Sequence, residues 1–192
     1  YYRLETGELE VFQKNFTMDV LEDFFNDLVR RYMDWAETVA DWYDIRNASL
    51  LPLGFPFSTY RPGQREMAVD VYRTVRDRDQ LLARAATGIG KTMAVIYPSL
   101  KALGQGLTSK LFYLTARTTG RTVAEKALDE LRLKGARIKS VTITAKDKIC
   151  FDSENACTAE ECEYANGYYD GMGETLKDIF RSDAFDREAI VS

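Results

Sequence analysis

Histidine is missing from this 192-residue sequence, and proline (4 residues) and cysteine (3 residues) are scarce. No stretch approaches the ~18 consecutive apolar residues of a membrane-spanning helix, and the best, residues 50–57, contains two prolines. The odd number of cysteines, all within residues 150–162, argues against a secreted disulfide framework. The chain starts with neither a methionine nor a signal peptide. We therefore expect a soluble cytoplasmic protein cut from a longer chain.

Charge is distributed in three blocks. Residues 57–149 carry 18 lysines and arginines against 8 acidic residues, whereas residues 1–56 carry 5 against 11 and residues 150–192 carry 3 against 11. A basic centre of this size is typical of a protein that faces a polyanion such as nucleic acid, and also of ordinary solvated helix faces. With 45% hydrophobic and 29% charged residues, the composition excludes both disorder and a fibrous repeat.

Helical spacing of apolar residues covers residues 18–43, and Thr17 is the predicted N-cap. We interpret the aromatic side chains of this helix as core or inter-domain contacts rather than as a binding stripe. The prolines and glycine of residues 51–56 indicate a linker. The predicted domains are a tail of an upstream domain with a possible strand pair (1–16), a helix and linker (17–56), a motor domain (57–145) and a cysteine-containing region (146–192).

The rest of the chain alternates between helices and apolar strands. Strands are predicted at residues 81–85, 110–114 and 138–143, and helices at 63–76, from the glycine-rich turn to about 103, and 121–133. The last helix should bury Val123, Ala127, Leu128 and Leu131 and stop at Gly135. This order and the nearly continuous apolar strands predict an α/β fold with a parallel sheet and right-handed crossovers.

The strongest local signal is the glycine-rich turn of residues 85–92 (AATGIGKT), placed between a predicted strand and a helix. Gly88 and Gly90 let backbone N–H groups face phosphate oxygens, and the helix N-terminus adds the positive end of its dipole. Lys91 is expected to reach the β- and γ-phosphates, and the Thr92 hydroxyl to bind Mg²⁺. Ala85 stands where the strict P-loop pattern has glycine. The turn predicts binding of a nucleoside triphosphate.

An ATPase also needs an acidic motif after an apolar strand, to hold Mg²⁺ and to position water. The pair at 129–130 lies inside a predicted helix, and the pair at 160–161 lies among the cysteines. Because the sequence has no histidine, an Asp-Glu-x-His box is excluded. We expect the acidic motif to lie outside this chain.

Cys150, Cys157 and Cys162 are spaced C-x6-C-x4-C after the third predicted strand. Three thiolates this close favour ligation of a metal or an iron–sulfur cluster, although zinc and cubane clusters usually take four ligands. The acidic residues around them do not favour thiolates, so free thiols stay an alternative.

Together these motifs resemble the iron–sulfur superfamily 2 DNA helicases of the DinG/XPD type, especially the bacterial DinG-like branch, over residues 55–170. Residues 60–64 (YRPGQ) resemble the segment in which a glutamine contacts adenine. Residues 86–92 resemble motif I, with Ala86 where the family usually has proline, and residues 112–118 resemble motif Ia. Residues 144–150 and 162–170 resemble the cluster loop, which this family inserts after motif Ia.

The resemblance implies part of a RecA-like P-loop NTPase domain, with an N-terminal helical extension and the start of an inserted iron–sulfur region. It implies a motor that hydrolyses ATP with Mg²⁺, moves 5′ to 3′ on single-stranded DNA and unwinds forks in repair or replication. Lys91 and Thr92 would be the catalytic residues, and the fragment is expected to be inactive alone. The implied ATP-binding residues are Arg61, Gln64, Ala86, Thr87, Gly88, Ile89, Gly90, Lys91 and Thr92.

The resemblance also implies that Thr115, Ala116 and Arg117 contact the DNA strand. Cys150, Cys157 and Cys162 would hold a 4Fe–4S cluster together with a fourth ligand beyond the end of this chain. Two other readings remain: a zinc-binding DNA module with a degenerate nucleotide loop, and a P-loop ATPase or kinase unrelated to nucleic acid.

Overall fold

The computed structural model describes residues 2–116, 118–152, 157–158, 160–186 and 188–189. Two compact units divide between Asp44 and Ile45, inside the first helix. The helices are α1 (Met18–Leu50), α2 (Gln64–Asp77), α3 (Lys91–Gly104), α4 (Thr118–Leu133) and α5 (Tyr168–Arg181). Two short strands, β1 (Ser140–Val141) and β2 (Ala184–Phe185), and a 3-10 turn (Lys146–Lys148) complete the described elements. No helix in these ranges has the length and apolar character needed to cross a membrane.

The first unit consists of a tight turn and most of α1. Tyr2 and Leu9 form an antiparallel bridge around Gly7, whose φ of 72° is a left-handed conformation that glycine adopts without strain. The Val20 N–H donates to Thr17 Oγ1 at 3.5 Å, which fits the predicted N-cap. Phe25 and Tyr32 are exposed, whereas Trp42 of the same helix is buried. Their assignment to an inter-domain contact therefore stays a prediction.

The second unit has a core built by α2, α3, α4 and the last turn of α1. Leu50, Ile96 and Leu131 are its largest fully buried side chains. α1 continues past its predicted end at residue 43 because Leu50 is buried in this core and the Lys101 ammonium donates to the Leu50 carbonyl, the last of the helix. The unit boundary therefore falls inside α1, whereas the sequence pattern placed a domain boundary after residue 56.

α4 matches its predicted end and, apart from one residue, its predicted buried face. Gly135, with φ 95°, terminates the helix, and the Ala136 N–H donates back to the Leu131 carbonyl at 3.0 Å. Ala127 and Leu131 are buried as predicted, but Val123 is exposed and Ala124 is buried in its place. The predicted Leu128 is partly buried against the same core. Ala124 lies near the centre of the stripe formed by Ala127, Leu128 and Leu131, whereas Val123 lies at the edge of that stripe.

The observed sheet differs from the predicted one. Of the three predicted strands only residues 138–143 contain a strand, β1, and its parallel neighbour is β2. Residues 81–85 and 110–114 form no strand in the described structure, and Leu82, Phe112 and Leu114 are exposed. A β-strand forms only where a neighbouring strand hydrogen-bonds to its backbone N–H and C=O groups. A run of apolar residues does not specify which segment will be that neighbour. The chain is therefore mostly helical over the described residues, and a RecA-like parallel sheet stays a prediction.

The β1–β2 pair brings the two ends of residues 142–183 together. Ser140 N–H donates to the Asp183 carbonyl at 2.9 Å, and Thr142 N–H donates to the Phe185 carbonyl at 2.8 Å. The Lys139 ammonium lies 4.7 Å from the centre of the Phe180 ring, which adds a cation–π contact to α5. The segment that carries the cysteines therefore begins and ends at the β1–β2 pair, beside α4.

Candidate functional site: a phosphate-binding loop at the start of α3

The glycine-rich turn leads directly into α3. Gly88 and Gly90 adopt φ values of 85° and 80°, a left-handed conformation that side chains with a Cβ rarely take. α3 begins at Lys91, and the Ala94 N–H is bonded to the Gly90 carbonyl at 3.1 Å. The N–H groups before Ala94 have no acceptor inside the helix, and the helix dipole places partial positive charge there. Such an end is a binding site for an anion.

Lys91 lies over the loop that precedes it. Its ammonium donates to the Ala86 carbonyl at 2.8 Å and to the Ala85 carbonyl at 3.2 Å. The side chain is exposed, so a phosphate group can replace these carbonyls as the acceptor without opening the core. Thr92 follows at the next position and is half-buried. The loop therefore brings a lysine and a threonine to the start of the same helix, and their roles towards phosphate and Mg²⁺ stay predictions.

Arg61 and Gln64 contact this loop from the start of α2. An Arg61 guanidinium nitrogen, Nη1, donates to the Gly88 carbonyl at 2.5 Å. The Gln64 amide nitrogen donates to the Gly90 carbonyl at 3.1 Å, and its oxygen accepts from the Arg61 N–H at 3.0 Å. Arg61 and Gln64, both predicted to contact the nucleotide, therefore lie beside the loop. In this structure both donate to carbonyl groups of the loop backbone.

Aromatic packing holds the segment that carries Arg61. The Phe55 and Tyr60 rings stack with 3.8 Å between their centres, and Tyr97 of α3 meets Phe55 edge-on at 5.5 Å. Tyr97 also donates its hydroxyl to the Leu53 carbonyl at 3.2 Å. Partial burial raises the pKa of both tyrosines above the ordinary value. Residues 53–61 are thus fixed to the same helix that begins at the phosphate loop.

A cleft of about 450 Å³ lies beside the loop, between α2 and residues 81–86. Sequence reasoning selected two of its lining residues, Ala86 and Ile89, as nucleotide contacts and did not select those on α2. Helical spacing is a signal that could have found the two on α2, because Met67 lies three residues after Gln64 and Asp70 lies three residues after Met67. Its lining includes Met67, Asp70, Leu82, Arg84, Ala86 and Ile89.

Thr115 and Ala116, the predicted DNA contacts, are exposed immediately before α4. A Cβ built on Gly120 would lie 2.1 Å from Thr115 Oγ1, so the first turn of α4 packs closely against this threonine. Arg117, the third predicted contact, lies outside the described residues. The structure thus places two of the three residues beside a helix N-terminus, which is an environment that suits a phosphate.

The three cysteines have different surroundings. Cys162 is buried, Cys157 is exposed beside the Lys146 ammonium, and the Cys150 thiol donates to the Asp152 carbonyl at 3.0 Å. The hydrogen bond with Cys157 raises the pKa of Lys146, and its electrostatic interactions with Cys157, Cys150 and Cys162 act in the same direction. Within the described ranges no three histidine, cysteine or acidic side chains form a group that could hold a metal ion. Ligation of a cluster by these cysteines therefore stays a prediction, and we derive no step through a cluster.

Comparison with known proteins adds no relative to this picture: no protein-family model, no curated protein and no solved structure matches the chain. The functional argument therefore depends on the residues and contacts described above.

Proposed function

We propose that this chain carries the ATP-binding part of an ATP-dependent DNA helicase similar to the DinG/XPD type. The observation that supports it best is the loop of residues 85–92. Its two glycines have positive φ, its next residue starts a helix, and that residue is Lys91. A glycine-rich turn, a helix N-terminus and a lysine at this spacing form a cradle for a triphosphate.

In this proposal the triphosphate lies across the N-terminus of α3. The Lys91 ammonium exchanges the Ala85 and Ala86 carbonyls for phosphate oxygens, a charge-assisted contact that is stronger than the one it replaces. The Thr92 hydroxyl ligates Mg²⁺. Binding of ATP is the part of the function that these residues perform. Hydrolysis, 5′ to 3′ movement and roles in repair or replication are proposals taken from the family resemblance.

DNA contact is proposed for the segment before α4. Thr115 and Ala116 are exposed there, and residues 57–149 carry 18 of the 26 lysines and arginines of the chain. Contacts of this kind neutralise phosphates and release counterions, so the affinity for single-stranded DNA should fall steeply with salt. An ATPase or kinase unrelated to nucleic acid would show no salt-dependent binding of single-stranded DNA.

The cysteines are proposed as ligands of an iron–sulfur cluster on the strength of their spacing alone. Iron and acid-labile sulfide should be measured in protein purified without oxygen, together with zinc. Matched iron and sulfide that fall in C157S would support the proposal. Zinc in place of iron would favour a zinc-binding module, and unchanged iron in C157S would exclude Cys157 as a ligand.

The nucleotide proposal is tested by titrating this chain with MgATP in a calorimeter, for the wild type and for K91A. Losing a hydrogen bond to a charged group costs about 1.5–3 kcal/mol, so the affinity should fall by about 10- to 150-fold. K126A is the matched control, because Lys126 is exposed on α4 and takes no part in the loop. Equal affinities of K91A and K126A would refute the assignment of the loop.

A further inference from the structure

The N-terminal half of α1 exposes a broad apolar face. Among the described residues 2–44 only Trp42 is buried. A helix in water takes most of its stability from packing of its apolar face, and a large exposed apolar patch marks an interaction surface. The exposed face of α1 consists of eight side chains that are 39–78% exposed: Met18, Leu21, Phe24, Phe25, Leu28, Val29, Tyr32 and Met33.

The spacing of apolar residues along α1 is typical of a coiled coil. A strict alternation of three and four residues gives the a and d positions of consecutive heptads, and it keeps one apolar seam facing a partner helix. The first five side chains of the seam, up to Tyr32, are exposed. The face therefore fits another helix. The seam residues are Met18, Leu21, Phe25, Leu28, Tyr32, Trp35, Val39 and Trp42.

The charges of α1 lie away from this seam. Residues 18–44 carry eight acidic residues and two arginines, and seven of the eight acidic residues occupy the outer heptad positions b, c and f. A basic partner would therefore gain no ion pairs beside the seam. A helix that lies on a lipid surface is instead rich in lysine and arginine on its polar face.

The positions that flank the seam permit two copies of α1 to pair in parallel. Flanking contacts in a parallel coiled coil join position g of one helix to position e of the next heptad of the other. Phe24 then meets Val29 of the other copy, and Arg31 meets Ala36. No like charges face each other across these contacts.

The exposed face is large enough for a stable interface. Phe24, Phe25 and Tyr32 are 66%, 61% and 66% exposed. Since an aromatic side chain buries ~150–250 Å² when it is covered, these three rings alone offer about 300–500 Å². The five aliphatic and methionine side chains of the face add a comparable area. The total is close to the ~800 Å² that each partner buries in a standard interface.

We propose that the exposed face of α1 binds a second copy of this chain, in a parallel coiled coil that includes residues 18–32. Each seam side chain then packs against its own counterpart, so Phe25 meets Phe25 and Leu28 meets Leu28. The acidic outer faces of the two copies repel each other, and salt screens that repulsion. Self-association should therefore strengthen as the salt concentration rises.

The test is sedimentation equilibrium of this chain over a range of concentrations, with two matched variants. The wild type should be at least half dimeric at about 10 µM, the weak end of the range for a standard interface. In Leu28→Glu a carboxylate enters the seam without a partner, so association should fall by about 100-fold or more. Asn26→Glu adds the same charge at an exposed b position and should change association by less than about threefold.

Two controls accompany this measurement. Leu28 is 54% exposed and lies outside the core of the second unit, so urea unfolding of that core should be the same in Leu28→Glu and wild type. Leu28→Cys tests the orientation, because a parallel pair sets the two thiols opposite each other at position d. Mild oxidation should link its chains more than those of Asn26→Cys, with the wild type as the baseline for the native cysteines.

Four results overturn the inference. A wild type that is monomeric at every concentration would leave this face to the inter-domain contact predicted from the sequence. Equal association of L28E and N26E would show that the dimer forms through another surface. Association that weakens as salt rises would indicate an interface held by ion pairs. Cross-linking of L28C no greater than that of N26C would exclude the parallel arrangement.

Discussion

Arg132 connects α4 to both strands of the small sheet. Its guanidinium donates to the Asp183 carbonyl at 2.8 Å, to Ser140 Oγ at 2.7 Å and to the Ile138 carbonyl at 3.2 Å. The side chain is 18% exposed, so water can replace these bonds only in part. Its salt bridge to Asp129, which is 64% exposed, contributes little.

Replacing Arg132 with methionine keeps most of the packing and removes all of these donors. Each hydrogen bond to a charged donor contributes about 1.5–3 kcal/mol, and partial rehydration and the recovered desolvation of the cation offset part of the sum. We therefore expect R132M to lose about 2–4 kcal/mol of unfolding free energy, a large share of the ~5–15 kcal/mol of a typical domain.

The loss should be localised as well as large. Urea unfolding followed by circular dichroism measures the free energy, and amide exchange at Ser140 and Thr142 reports the β1–β2 pair. R181M is the matched control, because Arg181 forms an exposed ion pair with Asp178 and its loss should cost less than ~0.5 kcal/mol. An R132M variant as stable as R181M, with the Thr142 amide still protected, would refute the reasoning.

Two further predictions concern packing and pH. G104A should destabilise the fold by about 1–3 kcal/mol, because a Cβ there lies 2.6 Å from Leu50 Cβ. G173A, in an open position of α5, should instead stabilise the fold by about 0.5–1 kcal/mol in the same urea titration, and equal effects would contradict the packing argument. The hydrogen bond from Arg30, and then the charge of Arg31, hold the pKa of Asp27 below its usual value. The stability that Asp27 gains from these contacts is therefore present above its unfolded-state pKa. It is lost as the pH falls through the pKa of Asp27 in the folded protein. NMR titration of the Asp27 carboxyl should show that pKa rising in R30Q, and an unchanged value would exclude the contact.

Local features of the structure follow from the sequence. The central turns of α2, α3 and α4 lie where the spacing of apolar residues predicts helices. Gly63, Gly90 and Gly135 adopt positive φ at helix ends. A helix pairs its backbone N–H and C=O groups between residues four apart, and a glycine turn depends on steric freedom at single positions. Short stretches of sequence therefore suffice to predict both. The glycine-rich turn of the candidate site belongs to this group, because residues 85–92 are contiguous in the sequence.

Long-range contacts were decided only by the tertiary structure. β1 pairs with residues 184–185, which carry no strand signal, whereas the apolar runs at 81–85 and 110–114 have no strand partner in the described structure. Gln64 could be selected from its motif, but its burial and its bond to Gly90 depend on how α2 packs beside α3. Sheet pairing and side-chain contacts to remote backbone require a partner that only the folded chain brings into reach, so no local pattern encodes them.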